Sequence, residues 1–142
     1  MYKKILVGYD GSEGASTALR QAASLARNLG SEVWALWVKG SLPHYPEMVE
    51  EVEAEREAAE AFFQKITAEL RAFSELHGIE IRGEMRSGHP AQALLRFAEE
   101  GRFDLIALGH KGHSGLWGRF LGHMADKVSE NAHCSVLIAR EG

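Results

Sequence analysis

With one cysteine, Cys134, the chain can close no internal disulfide. Only three prolines occur: Pro43 and Pro46 in one loop-like stretch, and Pro90 at a position suited to open a helix. No apolar run approaches the roughly 20 residues needed to span a bilayer, which excludes membrane insertion. The start, MYKKILVGYDGS, runs directly into a strand-like segment with no apolar signal region, so a cytoplasmic location is expected. Positive charge is also short. Lys and Arg total 16 against 20 Asp and Glu, a formal net charge of -4, which argues against a protein that coats nucleic acid. Internal repeats, linkers and low-complexity segments are missing too. What remains is 142 residues, 45% apolar and 25% charged, the composition of one globular domain spanning 1–142. A chain of this size buries roughly 70% of its unfolded surface, enough to need no structural metal.

Apolar patterning divides the chain into alternating strands and helices. KKILVGY (3–9) reads as a strand buried on both faces. Ala15, Leu19, Ala22, Ala26 and Leu29 then recur at helical spacing, with Ser12 able to cap the start and Gly30 placed to end the helix. EVWALWV (32–38) is a second strand, followed by a loop punctuated by Gly40, Pro43 and Pro46. From about Glu47 to His77 a long amphipathic helix carries Val52, Ala59, Phe63, Ile66, Leu70 and Phe73 on one stripe. Gly78 stops it. IEIRGEMR (79–86) is a third strand, near an edge, and a short helix follows from Pro90 to Gly101. FDLIALG (103–109), a helix carrying Phe120, Leu121, Met124, Ala125 and Val128, and CSVLIAR (134–140) complete the series. Strict alternation with right-handed crossovers predicts an α/β fold: a doubly wound, Rossmann-like, five-stranded parallel sheet of order 3-2-1-4-5 with helices on both faces.

Ligands of such sheets bind beyond the carboxyl ends of the strands, where strand order reverses. Two strand ends carry unusual chemistry. YDGS supplies Asp10 and a glycine turn, and LGHKGHSGLWGRFLGHMADK (108–127) holds five glycines and three histidines. The second stretch parses as Gly109, two residues, Gly112, nine residues, then Gly122 and His123. Glycines let backbone amides approach an anion, and the first turn of a following helix has amides without internal partners. Lys111, His110, His113, Arg119 and His123 add positive or protonatable groups, which suits a polyanion. The plainer reading is a surface loop whose glycines satisfy turns. Asp10 is likewise a good turn and cap residue; with no second carboxylate or paired His identifiable beside it, no catalytic residue and no native metal site are assigned.

The whole chain, apart from about 40–58, resembles the universal stress protein family, through ILVGYDGSEGA, SGHPAQALLRFAEEGRFDLIALGHKG and LWGRFLGHMADKVSENAHCSVLIAR. ATP-binding members carry glycines at the spacing of Gly109, Gly112 and Gly122, followed by Ser or Thr. Here His123 stands in the hydroxyl position. Its imidazole N–H can also donate to phosphate, and its charge would then tighten binding below neutral pH. The resemblance implies that Asp10 meets the ribose, that a backbone group of Val38 faces the adenine, and that Gly88 lies by the third strand's turn. It extends the candidate site to Tyr9, His110, His113, Arg119 and Met124, with ATP, ADP or AMP as ligand and Mg²⁺ beside the phosphates.

SVLIA (135–139) would be an exposed, aggregation-prone edge unless covered, and in the family this strand pairs with its copy, which implies a homodimer through 134–140 centred on Val136 and Ile138 or on the alternate residues of the strand. Cys134 reads as a small apolar residue rather than a reactive thiol. Three functions stay open: an adenine-nucleotide-binding stress-response regulator read by an unidentified protein partner, a nucleotide-free interaction protein, and a weak ATP-hydrolysing enzyme.

Overall fold

The computed structural model describes residues 1–40, 49–110 and 118–141, with the backbone alone for 49 and 118–123. KILVG forms β1 (Lys4–Gly8), whose Ile5, Leu6 and Val7 are fully buried, as a strand covered on both faces requires. Helix α1 (Glu13–Leu29) begins where the Ser12 hydroxyl accepts the Ala15 amide at 3.2 Å. It ends at Gly30, left-handed with φ 72°, whose amide returns to the Ala26 carbonyl. Its buried stripe is mostly alanine, Ala15, Ala18, Ala22 and Ala26 with Leu19, so the helix lies close on the sheet. Leu29, expected on that stripe, is 48% exposed at the last residue of the helix.

β2 (Glu32–Lys39) leads to α2 (Val49–His77). At 29 residues α2 is roughly 43 Å long, whereas the eight residues of β2 span roughly 26 Å, so the helix cannot pack along its whole length. Packing begins at Ala59 and continues through Ile66 and Leu70. Val52 is therefore exposed rather than part of the buried stripe. Phe62, one position before the expected Phe63, makes the aromatic contact, its ring centroid 4.7 Å from that of Trp37. β3 (Ile81–Ser87), α3 (Pro90–Glu100), β4 (Leu105–Gly109), α4 (Gly118–Asn131) and β5 (Ser135–Ala139) follow. Pro90 opens α3 as expected.

All five strands are parallel, in the order β3-β2-β1-β4-β5. In the centre, Ile5 is flanked by Val33 and Leu105, and Val7 by Ala35 and Ala107. Strand parity separates two cores. Ile5, Val7, Val33, Ala35, Leu105 and Ala107 face α1 and α2. Leu6, Leu36, Ile106 and Leu108 face α3 and α4. Chain direction across the sheet reverses between β1 and β4, and the crevice beyond their carboxyl ends is where a ligand site belongs. Among the described residues, no helix is long and apolar enough to cross a membrane.

Candidate functional site

The β1 side of the crevice is a turn locked by its own polar groups. The Tyr9 amide donates to the Leu36 carbonyl at 2.9 Å, which continues the sheet by one residue. Asp10 Oδ1 then accepts the Ser12 amide at 2.9 Å, and Gly11 between them takes φ 84°. A left-handed glycine followed by a capping serine turns the chain from strand into helix within three residues, leaving Asp10 half-buried at the rim. The helix α1 N-terminus starts immediately behind it.

The β4 side ends at Gly109, whose glycine identity has a packing cause. A Cβ there would come within 2.3 Å of the Gly14 carbonyl carbon and oxygen in the first turn of α1. Backbone thus packs on backbone across the switch point, drawing α1 and β4 together. The next residue, His110, continues the ladder by donating its amide to the Ala139 carbonyl at 3.0 Å. His110 is half-buried.

At the outer end, β2 and β3 close together: the Gly88 amide donates to the Lys39 carbonyl at 2.9 Å, with Gly88 at φ 134°. Val38 lies one residue earlier on β2, its side chain packed against the α3 and α4 core. Met124 packs against the same core. Tyr9 is 6% exposed and turns its ring into the opposite core, under α1 and α2. Burial pushes the Tyr9 phenol above its usual range, and the charges of Glu69 and Asp10 push it further the same way.

Gly112, His113 and Lys111 lie outside the described residues, as does 41–48 of the loop after β2. Arg119, Gly122 and His123 lie on the backbone of α4. That helix begins at Gly118, so within it the amides without an in-helix partner are those of 118–120, and Gly122 and His123 lie beyond them along the helix. The structure thus brings Tyr9, Asp10, Gly109 and His110 to the junction of β1 and β4, and Val38 and Gly88 to the neighbouring strand ends.

One residue that sequence reasoning passed over joins them. Glu69, on α2, accepts a hydrogen bond from the Tyr9 hydroxyl at 3.1 Å. Its carboxylate lies 3.5 Å from where a Gly11 side chain would project. Nothing in the sequence marks it, because a glutamate on the charged face of a long helix reads as a solvated one. A second concavity, of about 160 Å³, lies at the amino ends of β4 and β5 between Phe103, Ile106, Ala132 and Cys134. It is remote from the strand ends that carry the polar groups. Cys134 there is half-buried, and burial, with the nearby Asp104 charge, raises its thiol pKa, which keeps it protonated.

A model of the universal stress protein family matches residues 1–140. Among curated relatives, a universal stress protein of Methanocaldococcus jannaschii is 33% identical over 142 residues, covering 99% of this chain and 84% of its own. One from Thermus aquaticus is 33% identical over 144 residues, covering 99% and 100%. Among solved structures, UspA of Lactobacillus plantarum superposes with a TM-score of 0.81 at 23% identity over 98% of each chain, a likeness of fold. A universal stress protein in complex with cAMP gives a TM-score of 0.69 at 21% identity over 99% of each chain. An Arabidopsis thaliana family protein with AMP bound gives 0.71 at 16% identity, over 99% of this chain and 92% of that one.

Proposed function

The chain belongs to the universal stress protein family, and from that premise we propose that it is a cytoplasmic, homodimeric regulatory protein that binds an adenine nucleotide at the switch point of its sheet. The observation that carries this reading is the β1–β4 junction. Asp10 is held at its rim by the Ser12 amide, and directly across it Gly109 rests on Gly14. A nucleotide suits the division of charge there. Carboxylates lie on the β1 side, where ribose hydroxyls would donate, and Lys111, Arg119 and the protonatable histidines lie in the β4–α4 stretch, where phosphates would sit. The first-turn amides of α4 add donors. With ATP, Mg²⁺ would supply charge neutralisation to the phosphates. Bound adenine nucleotides in two proteins of the same fold support the ligand class. Regulation would follow if nucleotide binds one conformation more tightly than another and so changes a surface that a partner protein reads.

A nucleotide-free interaction protein is the second reading, favoured by His123 at the position where ATP-binding members carry a hydroxyl. Losing one hydrogen bond to a charged group costs roughly ten- to a hundredfold in affinity. Mass spectrometry of nucleotide released on denaturing the purified protein separates the two. Stoichiometric ATP, ADP or AMP is the expected result; none, even after soaking in ATP, would establish the second reading. ADP or AMP accumulating with time would add hydrolysis. Gly122→Val should abolish binding by filling the phosphate side, and normal ATP binding by that variant would refute this placement of the phosphates.

A further inference from the structure

The concavity at the amino ends of β4 and β5 stands at the other end of the sheet from the nucleotide crevice, and the function proposed above makes no use of it. Its volume is about 160 Å³. A space of this order takes a group of roughly the size of a benzene ring or a branched four-carbon chain. Phe103 and Ile106, 6% and 0% exposed, belong to the α3 and α4 core and give the cavity an apolar lining that Cys134 extends. Burial keeps that thiol protonated, so it lines the cavity as a small neutral group. Glu99 and Arg102, both exposed, line the same cavity, and neither side chain has a hydrogen-bond or ion-pair partner among the described residues. Arg102 holds φ 56°, a left-handed conformation that glycine would adopt freely, so a side chain is kept there against the preference of its backbone. Glu99 and Asn131 reach the cavity from the last turns of their helices, so α3 and α4 both bring to it their carboxyl ends, which favour positive charge.

We propose that this cavity binds a small α-amino acid with a branched aliphatic side chain, of the size of leucine. The side chain lies on Phe103 and Ile106, the ammonium beside Glu99 and the two helix ends, and the carboxylate on Arg102, whose planar fork suits it. Charge selects this class of ligand. A lone anion that reached Arg102 would also face Glu99 and two negative helix ends, and a lone cation drawn to those would face the Arg102 guanidinium. A zwitterion, with both charges attached to one carbon, meets both demands. Because the two charged residues are exposed, each ion pair contributes up to roughly fivefold in affinity, and burial of the apolar side chain supplies the rest. The inference goes beyond the nucleotide reading and does not depend on it: β4 runs from Ile106 at this cavity to Gly109 at the crevice, and the two sites share no residue.

Titration of the intact, isotope-labelled protein with leucine, followed through its backbone amide NMR signals, tests this. Leucine should shift the Phe103, Ile106 and Cys134 amides along a saturable curve. Isocaproate, which lacks the amine, and leucinamide, which lacks the carboxylate, should each bind roughly fivefold more weakly. Leucine itself should bind roughly fivefold more weakly to Arg102→Gly and to Glu99→Gln. Arg102→Gly relieves a left-handed residue and Glu99→Gln breaks no side-chain contact among the described residues, so both variants keep the fold. Isocaproate or leucinamide binding as tightly as leucine overturns the zwitterion. Leucine affinity within roughly twofold of wild type in both variants overturns the roles of Glu99 and Arg102. The absence of a saturable shift at the cavity amides, or shifts confined to Asp10 and Gly109 at the other end of the sheet, overturns the site.

Discussion

Gly109 shows how one residue can satisfy a motif for a reason other than the motif's chemistry. It fits the spacing of a phosphate loop, yet its lack of a side chain is already required by the Gly14 backbone 2.3 Å from a would-be Cβ. Because the obstacle is backbone in a capped helix turn, it cannot rotate away. Gly109→Ala should destabilise the protein by about 1–3 kcal/mol in urea unfolding, without any ligand present. A change under about 0.5 kcal/mol would show that α1 can shift freely. Tyr9 permits a second test. Its folded pKa lies above the ordinary 10.0, so the native state holds the proton more tightly than the unfolded chain. The resulting stability is complete below pH 10.0 and is lost as pH rises through the folded value. Tyr9→Phe should cost about 0.5–1.5 kcal/mol near neutrality, from the lost bond to Glu69. In urea melts repeated at increasingly alkaline pH, the gap between wild type and variant should then narrow. A gap that widens would contradict the burial and charge environment of this phenol.

At the scale of elements, the end of α3 sets a steric demand against a backbone one. The Phe103 amide bonds the Ala98 carbonyl at 2.9 Å and the Arg102 amide the Glu99 carbonyl at 3.2 Å, a Schellman ending. That ending needs a left-handed residue at 102, and Arg102 takes it with φ 56°. Glycine, which would occupy this conformation freely, stands one position earlier. There a Cβ would fall 2.4 Å from the Phe103 ring, so Gly101 serves the packing and Arg102 bears the strain. Arg102→Gly should stabilise the domain by a few tenths to about 1 kcal/mol, the relief of the left-handed conformation less the added freedom of the unfolded chain. Thermal melts that show a loss would mean the Arg102 side chain contributes more than its backbone costs. Caps at Ser12, Gly30 and Pro90 were readable because they act within one turn. Leu29 and Val52 were not, since an apolar stripe does not say where the sheet beneath it ends.

For the whole molecule, two edges face outward. β3 carries Arg82, Glu84 and Arg86, with Arg82 paired to Glu32 at 2.8 Å and Arg86 to Glu84 at 3.2 Å, charges that discourage further strand pairing. β5 carries SVLIA, with Ile138 36% exposed and pairing to β4 alone among the described strands. The proposed homodimer places its interface on this uncharged edge. Ile138→Glu should convert dimer to monomer in sedimentation equilibrium while leaving the fold intact by circular dichroism. A wild type that sediments as a monomer at micromolar concentration would remove the dimer from the proposal. The element order, the parallel sheet and the position of the switch point were legible in the sequence, because strand and helix periods alternate cleanly and crossovers have one hand.

By itself the sequence determined what depends on near neighbours: which segments are strands or helices, where most helices start and stop, and that Asp10 follows one, and Gly109 ends the other, of the two strands meeting at the reversal. Only the tertiary structure decided that Gly109 rests on Gly14 and that Glu69, 60 residues from Tyr9, closes on its hydroxyl. Those contacts depend on the height and rotation of α1 and α2 over the sheet. Such quantities are set by the sum of many packed side chains, and no local pattern of residues records them.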